Sequence, residues 1–345
     1  MKASLFQGPD RKPKFAIEEV EIPKPREDEV LVKVKTAALC GTDLHLYEGG
    51  MKPPKLPMIM GHEWAGDIVE VGPSARLFKE GDRVFSAPHY SCGICYYCRS
   101  GRENLCDQRG VFGAVGPREG CFAEYVAAPC SSLYRLPSKI TYEVGAVIGD
   151  TLSTAAHAMR RANITPGDSV AIWGLGPIGQ CLLQMAKVAG AGKVIAIDIV
   201  PDRLSLAQKL GADITVNSRE KDPVKLIKDD SGGRGVDLAI ESAGAPATYM
   251  QAFDSTAKGG KLLLVAVHDK PVETQVRAIM WREISIIGNF AHVATEADKF
   301  LELVLNGRVK LEPLISHRFP LEKINEAFEL FAGRKTNKVI LQKSK

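Results

Sequence analysis

Short apolar stretches rich in β-branched residues, each ended by glycine or proline, fill the chain up to about Tyr142. Examples lie at 30–34, 66–72 and 122–126. Stretches of this length and composition favour β-strands, and the glycines and prolines between them favour turns. The first part of the chain is therefore predicted to form a mostly β domain.

The pattern changes after Gly145, where strand-like and helix-like stretches begin to alternate. Alternation of this kind predicts a parallel sheet covered by helices. Residues 284–288 add a last predicted strand, and 296–305 a helix stopped by Asn306 and Gly307. The alternating stretches are 169–173, 193–197, 236–240 and 260–267 as strands, with 178–189 and 202–210 as helices. The sequence thus predicts an α/β protein in which a β domain accompanies a doubly wound parallel sheet.

A glycine-rich turn follows the first of these parallel strands. Gly174, Gly176 and Gly179 have the G-x-G-x-x-G spacing and open an amphipathic helix. Glycines at these places permit a tight turn, close approach of a pyrophosphate and close helix–sheet packing. The N-terminus of the helix then stabilises the phosphate charge. The turn is predicted to bind a dinucleotide.

Asp198 closes the next strand, at the distance expected for an acid that binds the adenosine ribose hydroxyls. A carboxylate at this position would repel a 2′-phosphate, which favours NAD over NADP. Arg203 argues the other way, because its guanidinium could neutralise such a phosphate. A surface helix residue that packs on the adenine edge is the favoured interpretation of Arg203, so NAD is the predicted cofactor.

Four cysteines have the spacing of a closed metal site. Cys92, Cys95, Cys98 and Cys106 form C-x2-C-x2-C-x7-C in a turn-rich lobe at about 88–110. Four thiolates so arranged can surround one zinc ion tetrahedrally. A chain of this length without an export signal does not need disulfides to fold. The lobe is predicted to hold a structural zinc ion.

A second group of metal-binding residue types is dispersed along the chain. Cys40, His62 and Glu63 offer a thiolate, an imidazole and a carboxylate, which zinc accepts, and an open position would leave room for a substrate oxygen. Taken singly, Cys40 also fits a small core residue and His62 a hydrogen-bonded loop residue. The spacing alone leaves both interpretations open.

Charge and hydropathy argue against two classes of partner. The 45 basic and 41 acidic residues are spread without long runs, so no nucleic-acid partner is predicted. The longest apolar stretches fall well short of the roughly 20 residues that span a bilayer. Gly8 and Pro9 interrupt any hydrophobic leader after Met1. We expect a cytoplasmic protein without a membrane partner.

Together these motifs make the sequence resemble the medium-chain zinc-dependent alcohol dehydrogenases, and most closely their threonine and polyol dehydrogenases. The resemblance runs through nearly the whole chain. The residues that carry it are Cys40-Gly41-Thr42-Asp43 with His45, Gly61-His62-Glu63-x2-Gly66-x5-Gly72, Gly81-Asp82-Arg83-Val84, the four-cysteine lobe and the Gly174 turn.

The resemblance implies a GroES-like catalytic domain, at 1–148 and 289–345, interrupted by a Rossmann NAD-binding domain at 149–288. It implies a catalytic zinc ion besides the structural one, held by Cys40, His62 and Asp150. Glu63 would be an exchangeable ligand or a close neighbour. A helix N-cap is the alternative role for Asp150. Relatives form dimers or tetramers, so a homotetramer is expected, with a homodimer as the alternative.

The resemblance also implies a reaction. Zinc would lower the pKa of a secondary hydroxyl on a small alcohol, and hydride would pass to NAD. Thr42 would accept the hydroxyl proton and relay it through the nicotinamide ribose to His45. The residues expected to bind the cofactor are Gly174, Gly176, Pro177, Ile178, Gly179, Asp198, Arg203, Val265, Ala266, Val267, Asn289 and Phe290.

Substrate identity stays open between a secondary alcohol or polyol and L-threonine. Thr151 replaces the proline usual in those enzymes. The segment Asn289-Phe290-Ala291-His292 lacks the arginine that sorbitol-type enzymes place after the aromatic residue, and it has His292 where threonine dehydrogenases carry arginine. Two other classes fit less well. A zinc-free quinone reductase would lack Cys40, His62 and the four cysteines, and a non-catalytic relative would lose the relay pair Thr42 and His45.

Overall fold

The predicted β-rich part of the chain forms mainly antiparallel sheets in the computed structural model, which describes residues 1–268, 270–293 and 296–342. It belongs to a compact unit made of Met1–Asp150, Val293–Leu301 and Leu314–Lys345. Numbered along the whole chain, its strands are β1 (Lys2–Phe6), β2 (Phe15–Glu19), β3 (Glu29–Ala38), β4 (Met58–Ile59), β5 (Glu63–Val71), β6 (Arg83–Ser86), β7 (His89–Tyr90), β8 (Gly110–Val111), β9 (Tyr125–Pro129), β10 (Leu133–Arg135), β17 (Ile315–Pro320) and β18 (Lys338–Gln342). Its helices are α1 (Gly41–Glu48), α2 (Tyr96–Arg99), α3 (Tyr142–Val147), the start of α10 (Ala297–Leu305) and α11 (Ile324–Ala332).

A seven-stranded sheet in the order β10-β6-β5-β3-β18-β17, with β9 also paired to β3, is the frame of this unit. Its register places Ala38 at the end of β3 opposite Glu63 at the start of β5. On the other side of β3, Ala38 pairs with Ile340 of β18. The segments around Cys40, Glu63 and Lys338 are therefore neighbours in space, although they are far apart in the sequence.

Aromatic side chains fill the core of this unit. Phe6, Phe15, Trp64, Phe122 and Phe328 are all at most 1% exposed and belong to one apolar cluster. Burial of each such side chain contributes roughly 1.5–3 kcal/mol before the entropy cost of ordering it. The frame that carries the β3 and β5 ends is thus firmly packed.

The alternating stretches form a second compact unit, Thr151–His292 with Glu302–Pro313. Its strands are β11 (Ser169–Trp173), β12 (Lys193–Asp198), β13 (Ile214–Asn217), β14 (Val236–Glu241), β15 (Thr256–Leu264) and β16 (Ser285–Gly288). Its helices are α4 (Ser153–Ala162), α5 (Pro177–Val188), α6 (Pro201–Lys209), α7 (Pro223–Asp230), α8 (Pro246–Ser255) and α9 (Val276–Arg282). The domain boundaries predicted at 148/149 and 288/289 remain a prediction. The end of the predicted catalytic domain, 343–345, lies outside the described residues.

The six strands of this unit are all parallel, in the order β13-β12-β11-β14-β15-β16. This is the 3-2-1-4-5-6 order of the doubly wound dinucleotide fold, so the predicted parallel sheet is confirmed. The predicted strand 260–267 is displaced: β15 starts at Thr256 and ends at Leu264. A register shift against β14 accommodates Gly259, whose φ is 72°. Within the described part of the chain, no helix combines the length and apolarity needed to cross a bilayer.

Candidate functional site

Helix α1 begins directly after Cys40 and fixes the position of that thiol. Asp43 is fully buried and accepts a hydrogen bond of 2.9 Å from the backbone N–H of Cys40. This bond satisfies a donor that would otherwise be unpaired at the helix N-terminus. Thr42 and His45 lie three residues apart on the same helix and are both half-buried. Residues at this spacing share a helix face. The predicted relay residues therefore lie on one face of the helix that begins at the predicted zinc ligand Cys40.

The four predicted catalytic-zinc ligands converge in the first unit. The candidate ligand atoms of Cys40, His62, Glu63 and Asp150 all lie within 4.8 Å of one another. One carboxylate oxygen of Asp150, Oδ2, is 3.3 Å from Cys40 Sγ and 3.7 Å from His62 Nε2. All four residues are at most 9% exposed. Residues separated by more than 100 positions thus form one compact donor set.

Asp150 reaches this cluster from a single π-helical turn, Ile148–Leu152, between α3 and α4. Turns of this kind recur at functional sites because they displace one residue from the regular helix pattern. A Cβ atom on Gly149 would lie 1.9 Å from the carbonyl oxygen of Ser86, so only glycine permits this approach to β6. The alternative role of Asp150 as a helix N-cap is wrong, since it lies inside the turn.

The donor set fits a divalent cation in chemistry and charge. Burial, and next the charge of Asp150, raises the pKa of Cys40 to about 11. Burial likewise raises the pKa of Glu63 to about 7, against the lowering effect of Lys338. Acidic groups crowded into a dry site retain protons unless a cation balances them, and a metal ion favours their deprotonated forms. Thiolate, imidazole and carboxylate are the ligands that zinc accepts.

Asp43 has a second contact that sequence reasoning missed. Its Oδ1 atom faces His62 Nδ1 at 3.4 Å, and both atoms are buried without a hydrogen-bond partner among the described residues. A carboxylate behind a metal-binding histidine commonly fixes the ring orientation and raises its basicity. Asp43 is thus placed to orient His62 so that Nε2 points toward the cluster.

Lys338 is the other residue that sequence reasoning missed. Its ammonium lies 2.7 Å from both carboxylate oxygens of Glu63 and donates to the carbonyl of Leu39 at 3.1 Å. The residue is 2% exposed. Burial lowers the pKa of Lys338, but the charges of Glu63 and Cys40 outweigh it and shift the pKa upward. The only sequence signal was a lysine opening an apolar strand.

The four-cysteine lobe brings its sulfur atoms together as predicted. The sulfurs of Cys92, Cys95, Cys98 and Cys106 lie within 4.8 Å of one another, and none is in a disulfide. Cys95 and Cys98 are 3.6 Å apart, and Cys92 and Cys106 are 3.5 Å apart. Tetrahedral zinc with Zn–S bonds of about 2.3 Å would separate its sulfurs by about 3.8 Å. The lobe fits a structural zinc ion.

Backbone amides around the lobe favour the thiolate form. The N–H groups of Cys92 and Gln108 each donate to Cys106 Sγ at 3.3 Å. Hydrogen bonds from the backbone of Cys98 and Asp107 lower the pKa of Cys95 to about 6. Because the thiolate is the metal ligand, these hydrogen bonds favour a metal-binding form of Cys95, whereas burial raises the pKa of Cys98.

The glycine-rich turn has the conformation that a pyrophosphate requires. Gly174 has φ of 90°, and a Cβ atom there would lie 2.7 Å from the backbone nitrogen of Ala243. Gly176 is the N-cap of α5, and Pro177 is its first residue. A Cβ on Gly179 would lie 2.0 Å from the Gly174 carbonyl oxygen. The turn and helix therefore pack closely while leaving the N-terminus of α5 available to an anion.

Asp198 ends β12 and is held by the backbone. It accepts hydrogen bonds from the N–H groups of Leu175, at 2.6 Å, and of Ile199 and Val200, at 2.7 and 2.9 Å. Arg203 on α6 lies 3.7 Å from the same carboxylate. Asp198 therefore fixes the glycine-rich turn to the end of β12, and its partner Arg203 lies beside it.

The remaining predicted cofactor residues follow the carboxyl ends of neighbouring parallel strands. Val265, Ala266 and Val267 follow β15, while Asn289 and Phe290 follow β16. The N–H of Asn289 donates a hydrogen bond to the carbonyl of Leu264, which links the segment after β16 to the end of β15. Val267 and Phe290 are 63% and 43% exposed. Ligands of doubly wound sheets bind at this edge, so the placement agrees with the predicted role.

The comparisons with known proteins cover both units. The chain matches the family "Alcohol dehydrogenase GroES-like domain" over residues 26–138 and "Zinc-binding dehydrogenase" over 177–306. It is 38% identical to a sorbitol dehydrogenase of Bacillus subtilis, over 95% of this chain and 93% of that one. It is 36% identical to an L-threonine 3-dehydrogenase of Pyrococcus horikoshii, over 95% and 96%.

Solved structures are similar over the whole length. An alcohol dehydrogenase from Thermus sp. ATN1 superposes with a TM-score of 0.93 at 34% identity, covering 100% of both chains. A zinc-binding dehydrogenase from Sinorhizobium meliloti 1021, bound to NADP, gives 0.91 at 32% identity, covering 99% of this chain and 98% of that one. The predicted GroES-like and Rossmann fold is confirmed. The chain therefore belongs to the zinc-dependent medium-chain alcohol dehydrogenase family, within its threonine and polyol dehydrogenase subgroup.

Proposed function

We propose that the protein is a zinc-dependent dehydrogenase that oxidises a secondary hydroxyl of a small alcohol or polyol, with hydride passing to NAD from the carbon that bears the hydroxyl. The convergence of Cys40, His62, Glu63 and Asp150 in one buried cluster carries this proposal. When bound there, zinc supplies Lewis-acid polarisation of the hydroxyl and lowers its pKa. Cys40, His62 and Asp150 would hold the ion, and Asp43 would orient the His62 ring.

Other residues of the chain would transfer the proton and bind the cofactor. With the dinucleotide bound, the Thr42 hydroxyl would accept the proton that the substrate loses and donate its own, through the nicotinamide ribose, to His45 on the same helix face. The glycine-rich turn binds the pyrophosphate of the dinucleotide at the α5 N-terminus. The Asp198 carboxylate accepts hydrogen bonds from the adenosine ribose hydroxyls and would repel a 2′-phosphate, which favours NAD. NADP is the alternative cofactor, because Arg203 lies beside Asp198 and a similar structure was solved with NADP bound.

L-Threonine is the alternative substrate, supported by the similarity to threonine dehydrogenases. An amino acid brings a carboxylate that needs a cationic partner. His292 stands where threonine dehydrogenases carry arginine, and it is 1% exposed with Nδ1 at 2.9 Å from Ser153 Oγ. A ring buried in this way is a poor substitute for a guanidinium, which favours the alcohol or polyol.

A substrate panel tests the proposal. We expect zinc-loaded protein to reduce NAD with 2,3-butanediol or sorbitol and to use NADP at least about tenfold less efficiently, measured as kcat/KM from NADH absorbance. L-Threonine is run beside them. Turnover of L-threonine alone would transfer the assignment to threonine dehydrogenase. Failure with all three substrates would contradict the proposed reaction.

We also propose a cytoplasmic homotetramer, with a homodimer as the alternative. Strand β16 lies at the edge of the parallel sheet. Just before it, Val276, Met280 and Trp281 on α9 are 73%, 64% and 70% exposed. An edge strand beside exposed large apolar side chains is suited to association. Light scattering after size exclusion should give four times the chain mass, and a monomer would contradict the assembly.

A further inference from the structure

We propose that Gln180 is a positioning residue for the dinucleotide: its side-chain amide orients the peptide between Leu175 and Gly176 so that the Gly176 N–H faces the pyrophosphate. The inference rests on the proposed NAD-binding function of the glycine-rich turn. It assigns a role to a buried side chain of α5 that follows the G-x-G-x-x-G spacing and is no part of it.

Gln180 is a polar residue on the buried side of a helix. It is 0% exposed, and most of the buried residues beside it on α5 are apolar, among them Leu182, Leu183 and Ala186. Moving an amide from water into an apolar interior costs free energy unless its polar atoms are hydrogen-bonded. The Oε1 atom of Gln180 has no hydrogen-bond partner among the described residues. The hydrogen bonds of Nε2 are therefore the ones that offset this cost.

The Nε2 group donates to two backbone carbonyls that belong to different elements. It lies 2.8 Å from the carbonyl oxygen of Arg203 in α6 and 3.2 Å from that of Leu175 in the glycine-rich turn. The carbonyl in the regular helix α6 fixes the position of the amide. Only a hydrogen-bond donor fits between two carbonyl oxygens, so an amide suits this place and a carboxylate does not.

Leu175 is held through both of its backbone polar groups. Its N–H donates to Asp198 Oδ2 at 2.6 Å, while its carbonyl accepts from Gln180. The peptide that joins Leu175 to Gly176 is trans, and the C=O and N–H of a trans peptide point in opposite directions. Because Gln180 holds the carbonyl on the buried side of the turn, the Gly176 N–H points toward the outer side.

The turn has open space beside Gly176. A Cβ atom on Gly176 would meet no described atom within 4 Å, whereas a Cβ on Gly174 or Gly179 would overlap with backbone atoms. Gly176 is also the N-cap of α5, where the helix dipole favours an anion. An outward N–H at this place can donate to a phosphate oxygen. Gln180 thus acts on the ligand through the peptide that it holds.

Gln184 provides the matched control on the same helix. It is 4% exposed, its Nε2 donates to the Lys310 carbonyl at 3.0 Å, and its Oε1 accepts from the Lys310 N–H at 2.7 Å. Gln180→Met and Gln184→Met each remove one buried amide from α5 and leave a side chain of similar length. A purely structural role of Gln180 predicts equal effects of the two variants on nucleotide binding. The positioning role predicts that only Gln180→Met impairs it.

The experiment measures binding of NADH to the zinc-loaded protein by nicotinamide fluorescence, and binding of ADP-ribose and adenosine by competition with NADH. In Gln180→Met we expect the Kd of NADH and of ADP-ribose to rise about tenfold, as for one weakened hydrogen bond to a charged group. The Kd of adenosine, which has no phosphate, should equal that of wild type, because Asp198 keeps its bonds to the N–H groups of Ile199 and Val200. All three Kd values of Gln184→Met should equal those of wild type.

The inference would be overturned by an unchanged Kd of ADP-ribose in Gln180→Met, by equal rises for ADP-ribose and adenosine, or by an equal loss of NADH binding in Gln184→Met. If Gln180→Met does not fold, Gln180→Asn replaces it, because the shorter side chain keeps an amide in the core but withdraws it from the two carbonyls; the same results are expected. Wild-type protein that binds neither NADH nor ADP-ribose would instead refute the proposed dinucleotide site.

Discussion

Replacing Cys40 by serine should lower kcat/KM by at least about a thousandfold and reduce the zinc content from two ions to one per chain. A neutral hydroxyl is a poor zinc ligand, and Cys40 is one of the converging donors in the buried cluster. A Lewis-acid metal contributes several kcal/mol to catalysis, and each ~1.4 kcal/mol is a factor of ten in rate. Steady-state kinetics and metal analysis on the same preparation measure both effects.

Cys121→Ser is the matched control for this substitution. Cys121 is 1% exposed and belongs to the same unit; its thiol donates to the backbone carbonyl of Glu63 at 3.6 Å, but its sulfur is not among the converging donor atoms. Its zinc content should remain at two and its kcat/KM should stay within a few fold of wild type. Equal losses in the two variants would mean that any buried cysteine is required for folding, and the assignment of Cys40 as a ligand would lose its support.

The nucleotide turn and the cysteine lobe could be predicted from sequence because their geometry is local. The turn from Gly174 to Gly179 follows one strand and opens one helix, so consecutive residues decide its shape. The four lobe cysteines lie within 15 consecutive positions, and short loops alone bring their sulfurs together. In both places the separation of the residues along the sequence is enough to predict that they lie close together in the structure.

The catalytic cluster shows where sequence reasoning ends. Cys40, His62 and Asp150 entered as expectations through family resemblance, because no local rule places residues so far apart in one site. Asp150 lies on a π-helical turn that has no sequence signature besides Gly149. A glycine is required at 149 because the backbone there packs directly against the carbonyl of Ser86. Lys338 was missed since its contact with Glu63 depends on the pairing of β18 with β3. Tertiary register decided these contacts.

Removing one lobe sulfur should unfold the lobe while leaving the rest of the chain folded. In Cys106→Ser we expect loss of one zinc ion and rapid trypsin cleavage after Arg99 or Arg102, at least about tenfold faster than in wild type. Helix α2 has only four residues and none of them is buried, so apolar packing cannot hold this loop. Metal binding therefore supplies the folding free energy of such a segment, and its loss exposes the lobe locally.

Cys130→Ser is the matched control. Cys130 is half-buried and lies outside both metal-binding clusters, so this variant removes a thiol without removing a predicted zinc ligand. Its zinc content and trypsin resistance should equal those of wild type. In Cys106→Ser, cobalt added to the remaining site should still give a spectral response to alcohol, since Cys40, His62 and Asp150 lie outside the lobe, on segments that adjoin β3, β5 and the π-helical turn. A lobe that stays resistant with two zinc ions bound would show that Cys106 is not a ligand. Collapse of the cobalt signal together with the lobe would show that the two sites fold as one unit.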